Sequence, residues 1–201
     1  LPNFGIINSF LSIPERKQRK QDGVNGEMVL FQRWIYWALI VLLVPLFTWA
    51  FSHYGVALSV VNGTSMQPTL QNGDRLLVNK FMLLLRSPSV GDVITFRDPS
   101  DRTRFLVKRV IGVPGDVIEI RGGSLYRNGV RVVEKYIDSV IEDGDFGPIR
   151  VQPGTVFVLG DNRHRFASRD SRYDSVGLVP ISLIDGKVEW ILWRPSMEAS
   201  L

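Results

Sequence analysis

FLVKRVIGVPGDVIEIRGGSLYRNGVRVV, Phe105 to Val133, alternates short apolar runs with turn-forming residues. Phe105–Ile111, Val117–Arg121 and Val130–Val133 are rich in β-branched side chains and too short for ordinary helices. Pro114-Gly115-Asp116 and Gly122-Gly123 separate them. Tyr126–Arg131 reads as a tight hairpin, because Asn128-Gly129 accepts positive φ at both turn positions. The same texture extends both ways along the chain. Arg75–Asn79, Asp92–Arg97, Thr155–Leu159 and Gly186–Trp193 have strand composition, and Asn72-Gly73-Asp74, Asp98-Pro99 and Pro153-Gly154 punctuate them. Strands this short and dense predict a mainly β domain from Val56 onward, an antiparallel β-barrel or sandwich rather than a βαβ fold.

Upstream the texture changes. Trp34–Ser52, WIYWALIVLLVPLFTWAFS, is a run of 19 residues without a charge, close to the length a helix needs to cross a bilayer. Trp34, Tyr36 and Trp37 at one end, with Trp49 and Tyr54 at the other, have the look of interfacial aromatic belts. Pro45 is tolerated in such a span and predicts a kink. Arg16, Lys17, Arg19, Lys20 and Arg33 precede the run, whereas the first basic residue after it is Arg75. The basic flank predicts a cytoplasmic N-terminus and a downstream domain on the outer side. The expected organisation is a cytoplasmic segment over residues 1–33, one transmembrane α-helix over 34–53, and an extracytoplasmic β-rich domain over 54–201. The loosely periodic Leu1–Ile13 is a candidate second, interfacial segment. Phe81–Leu85 is too apolar for an exposed loop and predicts either core packing or a dip into the outer leaflet.

With 201 residues, 45% of them hydrophobic, the chain has room for one medium domain plus an anchor and is not globally disordered. Lys plus Arg number 24 against 20 for Asp plus Glu, with basic residues after the span dispersed among acids. That pattern gives no support to nucleic-acid binding. The chain has no Cys and 2 His, His53 and His164. Thiol chemistry is therefore excluded, and a zinc site is disfavoured. Neither histidine stands in a recognisable Ser–His–Asp setting.

Three segments have residues suited to chemistry. In Asn62-Gly63-Thr64-Ser65-Met66-Gln67-Pro68-Thr69-Leu70, a serine after a glycine turn can expose its hydroxyl beside backbone N–H groups; a plain polar turn ahead of Pro68 fits the same residues. In Phe105–Asp116, Lys108 shares a strand face with Leu106 and Val110. Desolvation there would favour the neutral amine, although a lysine snorkelling to a rim is the commoner outcome. The third segment, Gly160-Asp161-Asn162-Arg163 followed by Ser168-Arg169-Asp170-Ser171-Arg172, begins where an apolar strand ends. Asp161, Asp170, Arg109 and Arg172 are candidates for ion pairs that brace a site; a solvated charged loop is the plainer alternative.

Taken in order, these segments resemble the type I signal peptidase family, the Ser–Lys endopeptidases of export. Ser-Met-x-Pro-Thr, Lys-Arg-(Val/Ile)-x-Gly-x-Pro-Gly-Asp and Gly-Asp-Asn-Arg with Ser-x-Asp-Ser-Arg are all present. The likeness covers roughly Val60 to Trp193 and extends to Gly91-Asp92, Val179-Pro180 and Gly186-Lys187. It implies a signal-peptidase-like catalytic domain with Ser65 as nucleophile, Lys108 as general base and Ser168 orienting the lysine amine. It also implies an oxyanion hole that includes the Ser65 N–H. Gly63 stands where some members have a serine donor. His164, Arg165 and Phe166 lengthen the segment before Ser168, which leaves Ser171 as the fallback. Val61, Met66, Leu70, Leu106 and Val107 match shallow substrate pockets that admit small side chains, and each also suits a core position.

The implied partners are preprotein signal peptides, the lipid bilayer and, by proximity, the export translocon; no cofactor or metal is implied. The implied location is the inner (plasma) membrane. A specialised processing peptidase of the same family, for conjugative pilin or in a mitochondrial inner membrane, fits as an alternative. A catalytically dead, membrane-tethered binding module is a further one.

Overall fold

The computed structural model describes residues 15–195; the candidate interfacial segment Leu1–Ile13 lies outside them. The chain divides into two compact units, with the division at Ala50/Phe51. The N-terminal element is one helix, α1 (Glu15–Tyr54), which joins the basic stretch and the apolar run without a break and accommodates Pro45 in its interior. Its segment Phe31–Phe51, 21 residues, is long and apolar enough to cross a membrane. Side chains point outward all round this segment, including Trp34, Tyr36, Leu42 and Phe47, so no polar face distinguishes one side from another.

The second unit is mainly β. Its strands are β1 (Val56–Val60), β2 (Arg75–Asn79), β3 (Val93–Arg97), β4 (Phe105–Gly112), β5 (Val117–Arg121), β6 (Ser124–Arg127), β7 (Val130–Arg131), β8 (Phe146–Arg150), β9 (Thr155–Leu159), β10 (Val179–Pro180) and β11 (Ile184–Trp193), with a one-turn helix α2 (Met82–Leu85) after β2. They form a seven-stranded sheet, β1-β2-β11-β3-β4-β9-β10, and a four-stranded sheet, β7-β6-β5-β8. Every pairing is antiparallel, as expected. The β6–β7 turn has Asn128 at φ 55° and Gly129 at φ 78°, the geometry that Asn-Gly favours.

Three strands escape a reading of composition. β8, FGPIR, carries Gly147 and Pro148, two residues that normally punctuate strands; it is tolerated because β8 is the edge of its sheet, where a missing N–H need not break a ladder. β1 follows the apolar helix with only Gly55 between them. β10 is two residues long.

The core has three apolar clusters. One joins Ile94 and Phe96 of β3, Val110 of β4, Val156 and Val158 of β9 with Val176, Val179 and Ile184. A second, under the small sheet, holds Ile118, Ile120, Leu125, Phe157 and Leu159. The third is Val61, Met66, Leu70, Leu76 and Val78. Full burial of each of these side chains stabilises the fold by roughly 2 kcal/mol before entropy is counted.

One sheet face stays apolar yet open. Leu58, Leu77 and Trp190 pair across β1, β2 and β11, and Val60, Arg75 and Trp193 form the next row. Paired residues share a face, so these side chains lie opposite buried Leu76 and Val78. Leu58, Val60, Trp190 and Trp193 are exposed. The Phe81–Leu85 segment divides between its two expected fates. Met82 is buried and Leu83 packs on the first cluster, whereas Phe81, Leu84 and Leu85 are exposed.

Candidate active site

The site is assembled at one end of the large sheet from the loop between β1 and β2, the middle of β4, and the loop after β9. On β4, Lys108 pairs with Ile94 of β3, and Leu106 pairs with Phe96. This register points the lysine into the first apolar cluster, where it is 2% exposed. Its Nζ donates to Ser65 Oγ at 2.6 Å and to the Val107 carbonyl at 3.0 Å. Burial pushes the Lys108 ammonium down to about 8; the Asp170 and Asp161 carboxylates oppose that shift and Arg172 adds to it. The desolvation of the charged form outweighs attraction to carboxylates that do not touch it.

The loop after β9 holds the Ser65 loop in place. The Asn162 N–H donates to the Ser65 carbonyl at 3.1 Å, and Asn162 Nδ2 donates to the Thr64 carbonyl at 3.1 Å. Gly160 is wedged between them: a Cβ there would collide with Ser168 Oγ and with the Ser65 carbonyl oxygen. No other residue type allows this approach. Ser168 is buried and its hydroxyl donates to Asp170 Oδ2 at 2.8 Å, which also accepts from the Gly160 N–H at 3.1 Å. Ser171 faces away, its Oγ accepting from the Val158 N–H at 2.9 Å.

Ion pairs surround this centre. Arg109 Nε and Nη2 reach the two oxygens of Asp161 at 2.9 and 2.6 Å, and Thr69 Oγ1 donates to the same carboxylate at 2.5 Å. Arg172 holds both oxygens of Asp170, at 2.8 and 2.9 Å, and Asp143 at 2.8 Å. Arg163 is fully buried; it donates to both oxygens of Glu134 at 2.7 and 2.6 Å and to the Gly160 carbonyl at 2.6 Å. Tyr136 donates to Glu134 at 2.7 Å while the Arg109 guanidinium stacks 4.0 Å above its ring. Burial, reinforced by the Glu134 carboxylate, raises the Tyr136 phenol above its ordinary value.

Glu134, Tyr136, Asp143 and Thr69 were not among the sequence candidates. Thr69 closes the Ser-Met-x-Pro-Thr motif, and for the acids the hint is Arg163, since an arginine carried into a buried loop requires a carboxylate from elsewhere. Of the expected pocket residues, Val61, Met66 and Leu70 belong to the third cluster, with exposures of 6%, 2% and 2%, whereas Leu106 and Val107 are half-buried. His164 lies 3.0 Å from Glu142 and 3.9 Å from Asp138, both carboxylates of a surface loop.

These residues sit in the region that comparison with known proteins picks out. The chain belongs to the signal peptidase family, peptidase S26, whose model matches residues 31–193. Signal peptidase I of Bacillus caldolyticus is 38% identical over 175 residues, 81% of this chain and 90% of the relative. Signal peptidase I of Bacillus licheniformis is 36% identical over 143 residues, 67% and 75% respectively. A solved signal peptidase I from Enterococcus faecalis V583 is 33% identical, covers 52% of this chain and 98% of its own, and has a TM-score of 0.45. The chain is accordingly a peptidase, and its apolar helix is compatible with membrane localisation.

Proposed function

We propose that this chain is a membrane-bound serine endopeptidase that removes N-terminal signal peptides from exported preproteins, using Ser65 and Lys108. The observation that carries the reading is the 2.6 Å contact between Ser65 Oγ and the Nζ of a lysine only 2% exposed. Serine is a weak nucleophile until an adjacent base takes its proton. A lysine brought down to about 8 is neutral in a useful fraction of molecules near physiological pH.

In this mechanism Ser65 Oγ attacks the scissile carbonyl carbon while its proton moves to Lys108 Nζ. The tetrahedral oxyanion is met by the Ser65 N–H. Collapse expels the new amine, which takes the proton from Lys108 and leaves an ester on Ser65. Water then gives a proton to the same lysine and attacks the ester; as the Ser65 C–O bond breaks, the lysine returns that proton to Ser65 Oγ and the signal peptide leaves with a new carboxyl terminus. Ser168 makes no hydrogen bond to the amine, donating instead to Asp170, so it acts as a positioning residue through that carboxylate. The Arg109–Asp161 pair ties β4 to the loop after β9, and the Arg172–Asp170 pair braces that loop from within.

Leu106 and Val107 have surface to offer small substrate side chains. Val61, Met66 and Leu70 would contribute as the floor beneath. The basic flank of α1 argues for a cytoplasmic N-terminus, single-pass insertion in the inner membrane and a catalytic domain on the outer side, near the export translocon. The open rows of Leu58, Trp190, Val60 and Trp193, with Phe81, Leu84 and Leu85, suit contact with the bilayer surface.

The test is cleavage of a radiolabelled preprotein by detergent-solubilised chain beside its Ser65→Ala and Lys108→Ala variants. A correctly placed cut by the wild type alone is the expected result. Cleavage by either variant at the wild-type rate would end the proposal.

A further inference from the structure

The loop after β9 rises from the site as a bulge, and its tip is Phe166. Both feet of the bulge touch the nucleophile's surroundings: Asn162 donates to the Ser65 carbonyl, and Ser168 shares the Gly160 wedge with it. Two residues of chain span at most about 7 Å, so Phe166 cannot stand far from Ser168. Its ring is 74% exposed and its φ is 60°. A bulky residue held in the left-handed region while burying little is strained without a packing reward.

The conformation belongs to a turn in which the Ala167 N–H donates to the His164 carbonyl at 3.1 Å, and it is tied down from outside the bulge as well. The Phe166 N–H donates to Asp143 Oδ1 at 2.9 Å and the Arg165 N–H to Glu142 Oε2 at 3.0 Å. Asp143 is in turn bound to Arg172, and Arg172 to Asp170, which orients Ser168. The ring is thus mounted on the same ion-pair chain that supports the site. The Arg165 guanidinium lies 5.1 Å from the ring centroid and leaves much of the ring open. The surrounding carboxylates and Arg165 suit a polypeptide better than hydrocarbon, where such groups are costly.

We propose that Phe166 is a specificity-determining residue whose ring contacts one substrate side chain next to the scissile bond. This rests on the peptidase reading above. The strain is retained because it presents the ring, and relieving it should not harm the fold.

The test uses the full chain in detergent. The substrates are a preprotein and variants of it with Leu or Gly at each of the three positions on either side of the cut. Phe166→Gly removes the ring and suits the backbone conformation. It should melt at the wild-type temperature or higher, yet lose roughly ten-fold in kcat/KM on substrates with Leu at one position, with little change when that position is Gly. Phe166→Leu should recover part of the loss at that same position. Equal turnover across the panel, a uniform loss whatever the substrate, or a lowered melting temperature would overturn the proposal. So would a loss that appears in bilayers and not in detergent, which would assign the ring to lipid. If wild-type chain cleaves none of the panel, the peptidase reading itself fails, an outcome distinct from all of these.

Discussion

Lys108 and Arg109 are neighbours on β4, and their cationic groups meet opposite circumstances. Arg109 is gripped at both ends of its fork by Asp161 and stacked on Tyr136. Lys108 is more deeply buried and takes part in none of the ion pairs among the described residues; its contacts are a hydroxyl and a carbonyl. The same contrast extends to the whole loop, where Arg163 and Arg172 are each bound to carboxylates. A guanidinium cannot shed its proton in the working range, so burying one requires a counter-charge. An amine can become neutral, so it can be buried unpaired at the cost of its charge. The arginines build the frame and the lysine is left free to exchange a proton.

Several measurements would break or sharpen this contrast. The largest effect should come from Lys108→Arg, which puts an obligatory cation into the unpaired pocket. Preprotein cleavage should fall at least about a thousand-fold, since the base is lost. Near-wild-type turnover in a folded sample would remove Lys108 from the chemistry.

Glu134→Gln attacks the paired side by leaving the fully buried Arg163 without its counter-charge. Breaking such a pair should destabilise the fold by about 3 kcal/mol in denaturant unfolding. No shift in the midpoint would mean that pairing is not what makes these arginines tolerable.

The pH dependence is the next largest effect. Activity needs neutral Lys108, whose folded-state value is lowered from 10.5 to about 8. Cleavage should therefore climb with pH and level off above that value, and at pH 7 it should be roughly ten-fold below the plateau. Because Asp170 opposes the lowering, Asp170→Asn should move the rising limb to lower pH, whatever it does to the rate. Between about 8 and 10.5 the folded chain binds fewer protons at Lys108 than the unfolded chain, so this group makes stability rise with pH across that window. A flat activity profile from pH 6 to 9 (a range of about 3 units around the expected value) would contradict the unpaired-amine picture.

The smallest effect is expected for Ser168→Ala. It removes one hydrogen bond to Asp170, at a cost of about 1 kcal/mol to stability. The turnover number should fall several-fold while KM holds, because the change reaches Lys108 through the Asp170 carboxylate and not through substrate contact. Unchanged kcat would leave Ser168 a structural residue.

Local pattern was enough for much of the fold. Arg75–Asn79, Val117–Arg121 and Thr155–Leu159 form strands with the bounds their composition suggests, because a β-branched run between turn signals has few other options. The run expected at Val130–Val133 shortens to Val130–Arg131, and Val132 instead packs against the second cluster. Phe146–Arg150 was hidden because Pro148 counts against a strand until the strand is known to be an edge.

The sequence by itself determined the apolar helix, the antiparallel β unit, and three motifs in the order of a known family. Those properties rest on composition and spacing along the chain, which survive without coordinates. Only the tertiary structure decided which groups meet. It alone brought Lys108 to within 2.6 Å of a serine 43 positions earlier in the chain, and Arg163 onto Glu134, 29 positions away. It also turned Val61, Met66 and Leu70 into the core and left Trp190 and Leu58 open, although all five are large apolar side chains on paper. Burial and pairing depend on the register of strands distant in sequence, and that register is set by the sum of many weak contacts rather than by any one segment.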